Sequence, residues 1–147
     1  MIAAVRVKGV PDAGKKHRRV LRSLKLPKKH NCMIYVDRES TKKALDKVKD
    51  YIAFGEIDKD TLVSLLRKRS DLEENLDESD YSSTDEVAEG LLEGDIRPKE
   101  LSSIGVKLPF GLAPPSKGFS GTKKSHKQGG SLGNRGEDIN YLLERMI

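Results

Sequence analysis

The sequence predicts an α+β fold, a small two-layer sandwich in which a three-stranded antiparallel sheet carries two helices on one face. Two observations predict it. Apolar runs of strand length alternate with amphipathic helical segments over residues 1–57, in the order β-α-β-α-β. The full length of 147 residues suits one such domain with a C-terminal helical and extended-loop appendage. The first part corresponds to a truncated ferredoxin-like unit.

Three segments are predicted to form the strands. Residues 2–8 are rich in Val and Ala, and residues 32–36, CMIYV, form the continuous apolar run expected of a central strand. Residues 50–57, DYIAFGEI, are ambiguous, because the helix before them could continue through them. Their aromatic residues, Ile52 and the mid-run Gly55 favour a third strand.

A basic amphipathic helix followed by a basic turn is predicted within residues 14–30, GKKHRRVLRSLKLPKKH. Val20, Leu21 and Leu24 lie on one side of a 3.6-residue helix and are expected to dock on a strand. Pro27 is predicted to end the helix. The segment holds eight Lys or Arg and no Asp or Glu. Because an ordinary soluble helix mixes both signs, this composition indicates a polyanion as partner.

The second helix is predicted over residues 41–49, where Ala44, Leu45 and Val48 share one face. Residues 1–57 form the predicted α+β core, and residues 58–147 a C-terminal extension. The extension is predicted to contain a helix over residues 58–69, an acidic loop over 70–83, short helices over 84–94 and 98–104, a Gly/Lys-rich loop over 109–136, and a terminal helix over 137–147. Asn134 and Glu137 have the spacing of a capping box for the terminal helix.

Charge is distributed unevenly along the chain. Residues 1–69 hold nineteen Lys or Arg and eight Asp or Glu, residues 70–100 two and twelve, and residues 101–147 seven and three. Two basic segments thus flank an acidic one, which indicates nucleic acid as the partner of the basic ends. A membrane surface is not indicated, because no amphipathic stretch carries bulky apolar anchors.

Composition also excludes several kinds of site. The single Cys32 cannot form an internal disulfide, and the three histidines are scattered among lysines, so neither a metal site nor a cofactor is expected. A reducing, cytoplasmic setting fits. The apolar N-terminal run is too short for a signal peptide or a membrane span. Because no residue pattern has the arrangement of a catalytic site, neither an enzyme nor a small-molecule substrate is expected.

One pattern resembles a nucleotide-binding loop. Residues 9–15, GVPDAGK, match G-x-x-x-x-G-K between a predicted strand and helix. However, Lys16 follows where a Ser or Thr hydroxyl must bind magnesium, and Pro11 lacks one of the amides that such a loop directs at phosphate. Nucleotide hydrolysis is therefore not expected, although the loop suits a backbone phosphate of RNA at a helix N-terminus.

Two strings carry a resemblance to a known family. The first lies within residues 36–69 and reads VKDYIAFGEIDKDTLVSLLRKR, and the second is KQGGSLGNRGEDINYLLERM, residues 127–146. The chain resembles the archaeal and eukaryotic branch of the large-subunit ribosomal protein thirty family (protein seven in eukaryotes), and its length resembles archaeal members. It departs from the family in the turn DRES at residues 37–40, where a Thr-Pro pair is common, and in Lys42 and Lys43, where Arg-Gly is common.

The resemblance implies a non-catalytic component of the large ribosomal subunit that binds large-subunit rRNA, lies near 5S rRNA and contacts other large-subunit proteins. Lys and Arg would neutralise RNA phosphates. The predicted RNA-contacting residues are Lys15, Lys16, Arg18, Arg19, Arg22, Lys25, Lys28, Lys29, His30, Lys42, Lys43, Lys117, Lys123, Lys124, His126, Lys127 and Arg135. Phe110 and Phe119 are expected to anchor the Gly/Lys-rich loop rather than to stack on bases. The alternatives left open are a non-ribosomal regulatory RNA-binding protein and a protein adaptor.

Overall fold

The computed structural model describes residues 1–9, 14–119, 121 and 124–147. Its first part contains β1 (Ile2–Arg6), α1 (Lys15–Ser23), β2 (Asn31–Tyr35), α2 (Glu39–Lys47) and β3 (Ile52–Glu56). β1 lies between β2 and β3 and is antiparallel to both. The α+β class and the order β-α-β-α-β are confirmed, and the ambiguous residues 50–57 contain a strand.

The C-terminal part contributes both helices and sheet edges. It contains α3 (Lys59–Arg69), α4 (Leu72–Asn75), α5 (Thr84–Glu93), β4 (Phe110–Gly111), β5 (Gly133–Asn134) and α6 (Ile139–Met146), with 3-10 turns at Leu76–Glu78, Pro98–Ile104, His126–Gln128 and Gly136–Asp138. β4 pairs antiparallel with β2, and β5 pairs parallel with β3. The three-stranded sheet predicted from the sequence is therefore wrong in detail, because the sheet has five strands in the order β4-β2-β1-β3-β5.

The sheet is covered on both faces. Ile2 and Ala4 of β1 pack with Leu21 of α1 and Leu45 of α2 in one apolar cluster. Ala3 and Val5 face the other way, into a cluster that includes apolar residues of α3, α5 and α6. The predicted two-layer arrangement is wrong in this respect. The reason is visible in β1, which is buried at all five positions and so lacks the alternation of a sheet with one solvated face.

Helix α1 ends four residues before Pro27, which was predicted to end it. Lys25 adopts a left-handed conformation with φ 61°. The N–H of Leu26 donates to the carbonyl of Leu21 at 2.8 Å, and the N–H of Lys25 donates to the carbonyl of Arg22 at 3.0 Å. These two bonds form a Schellman motif that turns Leu26 into the core, where it is fully buried.

Two further expectations differ from the structure, and a third is met by a helix of another type. The acidic loop predicted at residues 70–83 contains α4, because Leu72 is fully buried against the core. The short helix predicted at residues 98–104 is present with the same bounds and is of the 3-10 type. The capping box is wrong, because Asn134 Oδ1 accepts the N–H of Gly136 at 2.9 Å, and α6 begins only at Ile139.

The two family-like strings meet at the β3 edge of the sheet. Ala53 and Phe54 of β3 pair with Gly133 and Asn134 of β5. A Cβ atom on Gly55 would lie 2.1 Å from the carbonyl oxygen of Gly136, so only glycine permits this approach. The mid-strand glycine thus serves the packing of the C-terminal segment onto the sheet.

Candidate nucleic-acid interface

The exposed face of α1 is formed by cations. Leu21 and Leu24 are buried against the sheet, and Val20 packs beside them, as predicted. The opposite side of the helix presents Lys15, Lys16, Arg18, Arg19 and Arg22, all exposed. α1 has no acidic residue in its first turn and no side-chain cap, so its N-terminal amides add to the positive potential.

The turn after α1 continues this positive surface and is held by a buried arginine. Lys25, Lys28 and Lys29 are exposed. Arg6 of β1 is only 2% exposed, and its Nη1 donates to the carbonyls of Leu26 at 3.0 Å and Pro27 at 2.8 Å.

Burial, and secondarily the charge of Arg18, lowers the pKa of Arg6. Because its bonds fix the turn, Arg6 is a positioning residue that the sequence analysis missed. An arginine inside an apolar strand was the available signal.

The Gly/Lys-rich loop also presents exposed cations. Lys117, Lys124 and Lys127 are exposed, whereas Lys123 lies outside the described residues. Nη1 of Arg145 in α6 donates to the carbonyls of Ser116 at 3.1 Å and Gly118 at 3.0 Å, on either side of Lys117. Arg145 thereby holds Lys117 in its left-handed conformation, with φ 67°. The sequence analysis missed this positioning role, because it depends on a contact between segments far apart in the sequence, which no local pattern indicates.

A ring contact connects the loop to the turn after α1. The rings of His30 and Phe119 stack, with centroids 5.9 Å apart and planes 14° from parallel. His30 is half-buried, and burial, followed by the charge of Lys29, lowers its pKa. Phe119 and the buried Phe110 both pack on the core, so their predicted anchoring role is confirmed.

Two predicted contacts in the loop are engaged within the protein. Nε2 of His126 lies 2.9 Å from Oδ2 of Asp138. Arg135 is 9% exposed, its Nη1 donates to the carbonyl of Ser131 at 3.4 Å, and burial lowers its pKa. Arg135 is therefore too enclosed to be counted among the proposed RNA contacts.

The acidic segment at residues 70–100 packs largely away from α1. Its acidic residues belong mainly to α4, α5 and the connections around them, which cover the sheet face opposite α1 and α2. Glu89 pairs with Lys59, and Arg67 pairs with both Glu73, at 3.1 Å, and Asp85, at 3.3 Å. The acidic segment at residues 70–100 thus packs mainly on the sheet face opposite α1 and α2.

Comparison with known proteins identifies the family. A family model described as Ribosomal protein L30p/L7e matches residues 2–52. The chain is 40% identical to the large ribosomal subunit protein uL30 of Nanoarchaeum equitans over 100% of this chain and 99% of that protein. The chain belongs to the L30p/L7e family. It is 36% identical to the uL30 protein of Methanobrevibacter smithii, with all of both chains covered, and 38% identical to that of Archaeoglobus fulgidus, with 99% of each covered.

Family membership confirms the predicted class of protein. Members of the L30p/L7e family are structural proteins of the ribosome, so this chain is a structural protein of the cytoplasmic ribosome and not an enzyme. The relatives named above are all archaeal, which agrees with the prediction that the chain resembles archaeal members of the family.

The departure from the family pattern at α2 has a structural correlate. Lys42 Nζ lies 3.3 Å from Oδ1 of Asp37, and Lys43 Nζ lies 3.8 Å from Oε1 of Glu39. All four side chains are exposed, so these ion pairs are weak and water-screened. Both lysines lie at the surface, and each has a carboxylate beside it.

The described residues contain neither a metal-binding cluster nor a reactive thiol. In residues 1–9, 14–119, 121 and 124–147 there is no group of three or more His, Cys, Asp or Glu that could hold a metal ion. Within the same residues, no helix has both the length and the apolar character needed to cross a membrane. Burial raises the pKa of the Cys32 thiol to about 12, so it is no nucleophile at neutral pH.

Proposed function

We propose that this L30p/L7e protein is a constituent of the large ribosomal subunit that binds large-subunit rRNA, lies near 5S rRNA and contacts other large-subunit proteins. The names of its relatives, large ribosomal subunit protein uL30, support the choice of subunit. The observation that carries RNA binding is the surface formed by the exposed face of α1, the turn after it and the loop docked on that turn through His30 and Phe119.

The mechanism follows from charge and shape. Each phosphate that a Lys or Arg neutralises releases condensed counterions, which favours binding. Double-stranded RNA offers side chains little access to its deep major groove, so its backbone is the main feature read. The proposed contacts are Lys15, Lys16, Arg18, Arg19, Arg22, Lys25, Lys28, Lys29, Lys117, Lys124 and Lys127, with Lys42 and Lys43 as weaker contributors because they are paired.

A transcriptome-wide footprint tests this proposal against its alternative. The purified protein is mixed with total cellular RNA, and the protected fragments are sequenced. We expect protection of large-subunit rRNA, including positions close to 5S rRNA in the assembled particle. Protection of a single messenger without rRNA would contradict the proposal and favour a regulatory RNA-binding protein. The variant with Arg18, Arg19 and Arg22 changed to Ala serves as the control, since its footprint should weaken.

A further inference from the structure

We propose that a cleft beside the end of α1 receives one unstacked nucleotide of the bound RNA. This inference rests on the proposed function and names a specific subsite for it. The cleft has a volume of about 320 Å³. It lies between the end of α1, the C-terminal half of β2, the start of α2 and the 3-10 turn at Pro98–Ile104. This volume falls at the lower end of the range for small-ligand pockets.

The lining of the cleft combines apolar and flat groups. Leu24, Met33, Val36 and Pro98 contribute apolar surface, and the half-buried Tyr35 contributes a ring. The hydroxyl of Tyr35 donates to the carbonyl of Leu24, which holds the side chain in place. Unstacked RNA bases bind by stacking on rings and guanidinium planes, so this lining matches a base rather than a phosphate alone.

Four cations surround the cleft. Lys25, Arg38, Arg97 and Lys99 all line it and are exposed. Lys25 connects it directly to the basic surface of α1. Residues 70–100 contain twelve acidic side chains and two basic ones, and the fold brings both basic ones, Arg97 and Lys99, to this cleft. The charge of the cleft thus arises from segments far apart in the sequence.

The nearby carboxylates are directed to other partners. Among the described residues, none that lines the cleft carries a carboxylate. Asp37 pairs with Lys42, Glu39 pairs with Lys43, and Glu100 Oε2 accepts the N–H of Arg97 at 3.3 Å. The cations of the cleft therefore remain available to the phosphates on either side of an inserted nucleotide. A second cleft, of about 520 Å³, shares Lys25 and Lys99 and extends this basic surface to Lys107.

An RNA segment fits this site better than an acidic peptide does. A peptide that bound by adding a strand would need a free strand edge, but Ile34 in the C-terminal half of β2 is fully buried and offers no accessible backbone. An RNA strand needs only a pocket for the base and cations for the flanking phosphates. The continuity with α1 through Lys25 also favours a polymer that already lies on the basic face.

Two variants separate the contribution of charge from that of the pocket. The first changes Arg97 and Lys99 to Ala, and its matched control changes Arg67 and Lys68 to Ala on the acidic side of the molecule. The second is Ser23→Phe, which fills the mouth of the cleft without changing charge. Binding of the full chain to deproteinised archaeal large-subunit rRNA is measured at several salt concentrations, and thermal unfolding checks that each variant is folded.

We expect R97A/K99A to weaken binding roughly tenfold and to reduce the salt slope by about 1.4–1.8, whereas the control changes neither. We expect S23F to weaken binding roughly tenfold with an unchanged slope, because one base loses its stacking surface. Ultraviolet cross-linking should place a nucleotide on the tryptic peptide of residues 30–38, which contains Met33 and Tyr35.

The possible outcomes distinguish this proposal from the one it rests on. If the native protein binds rRNA with a steep salt dependence but both variants bind normally, the cleft proposal is overturned and RNA binding stands. Poly-glutamate serves as the acidic-peptide probe in the same binding assay, and the cleft proposal is likewise overturned if R97A/K99A loses poly-glutamate binding but not rRNA binding. If the native protein does not bind rRNA at all, both proposals fail.

Discussion

His30 and Phe119 stack with their rings 14° from parallel, and this contact places the Gly/Lys-rich loop against the turn that follows the basic helix. The backbone supports it, since the N–H of Leu112 donates to the carbonyl of His30 at 3.2 Å. Two basic segments that are remote in the sequence thereby contact each other. The His30–Phe119 contact is therefore the feature on which the geometry of the proposed interface depends.

The first prediction concerns the pH dependence of this contact. Because the pKa of His30 is lowered in the folded protein, the unfolded chain binds more protons below the ordinary value of 6.5. His30 therefore contributes its full stabilisation above pH 6.5. This stabilisation is lost as the pH falls from 6.5 toward the lowered pKa of His30. His30→Asn is the matched variant, because Asn tolerates the φ of 69° found there.

Thermal unfolding between about pH 8 and about pH 5 provides the measurement. The native protein should lose more stability on acidification than H30N does. Equal losses in the two proteins would show that His30 does not titrate as its burial requires.

The second prediction compares the two basic segments. Changing Arg18, Arg19 and Arg22 to Ala, or Lys117, Lys124 and Lys127 to Ala, removes three charges in either case. Each variant should reduce the salt slope by about 2–3. The helix variant should lose more affinity in a binary assay, because its side chains project from a helix fixed by a buried face, whereas the loop is held by fewer anchors.

When ribosomal subunits are washed with salt, the order of the two variants should be reversed. There the loop variant should be released more readily, since more RNA surrounds the loop in an assembled subunit. Normal binary binding by the helix variant, combined with abolished binding by the loop variant, would mean that α1 is not the primary anchor.

The third prediction concerns the pattern at residues 9–15. Residues 10–13 lie outside the described part of the chain, so the prediction rests on Lys16, which occupies the position of the magnesium-binding hydroxyl. Calorimetry with ATP and GTP should detect neither hydrolysis nor magnesium-dependent binding. Micromolar binding that requires magnesium would refute this interpretation.

The fourth prediction concerns the amide that fixes α6 to the sheet. Asn140 Oδ1 accepts the N–H of Asp58 at 2.9 Å, and its Nδ2 donates to the carbonyls of Glu56 at 3.0 Å and Glu137 at 2.9 Å. Asn140→Ala should lower the free energy of unfolding by about 1–3 kcal/mol, because it removes three hydrogen bonds made by a buried side chain. Urea denaturation measures this change.

Asn75→Ala is the control for that measurement. The side chain of Asn75 donates to the carbonyl of Asp71 in an exposed position, so its loss should cost about 0.5 kcal/mol or less. Equal effects of the two substitutions would contradict the role assigned to Asn140.

The sequence predicted features that depend on local patterns. The spacing of Val20, Leu21 and Leu24 located the buried side of α1, and the run CMIYV located β2. It did not predict β4 and β5, because each is only two residues long and is fixed by pairing with a distant strand. The end of α1 was missed because burial of Leu26, rather than Pro27, determines it.

The residues of the candidate site likewise divide into those that a local pattern predicts and those that depend on tertiary contacts. The exposed cations of α1 follow from helical periodicity, whereas the burial of Arg135 and the pairing of His126 with Asp138 depend on tertiary contacts. Arg97 and Lys99 were obscured by the acidic sequence around them. Only the fold brings them beside Lys25, on the basic side of the molecule.

The salt dependence of rRNA binding tests the central claim most directly. The full chain is titrated with a purified large-subunit rRNA fragment at several salt concentrations. The logarithm of the affinity should fall linearly with the logarithm of the salt concentration, by roughly 0.7–0.9 for each phosphate contact, and the slope should decrease when the α1 cations are removed. An affinity that does not change with salt would contradict the account, because the basic surface would then make no phosphate contacts.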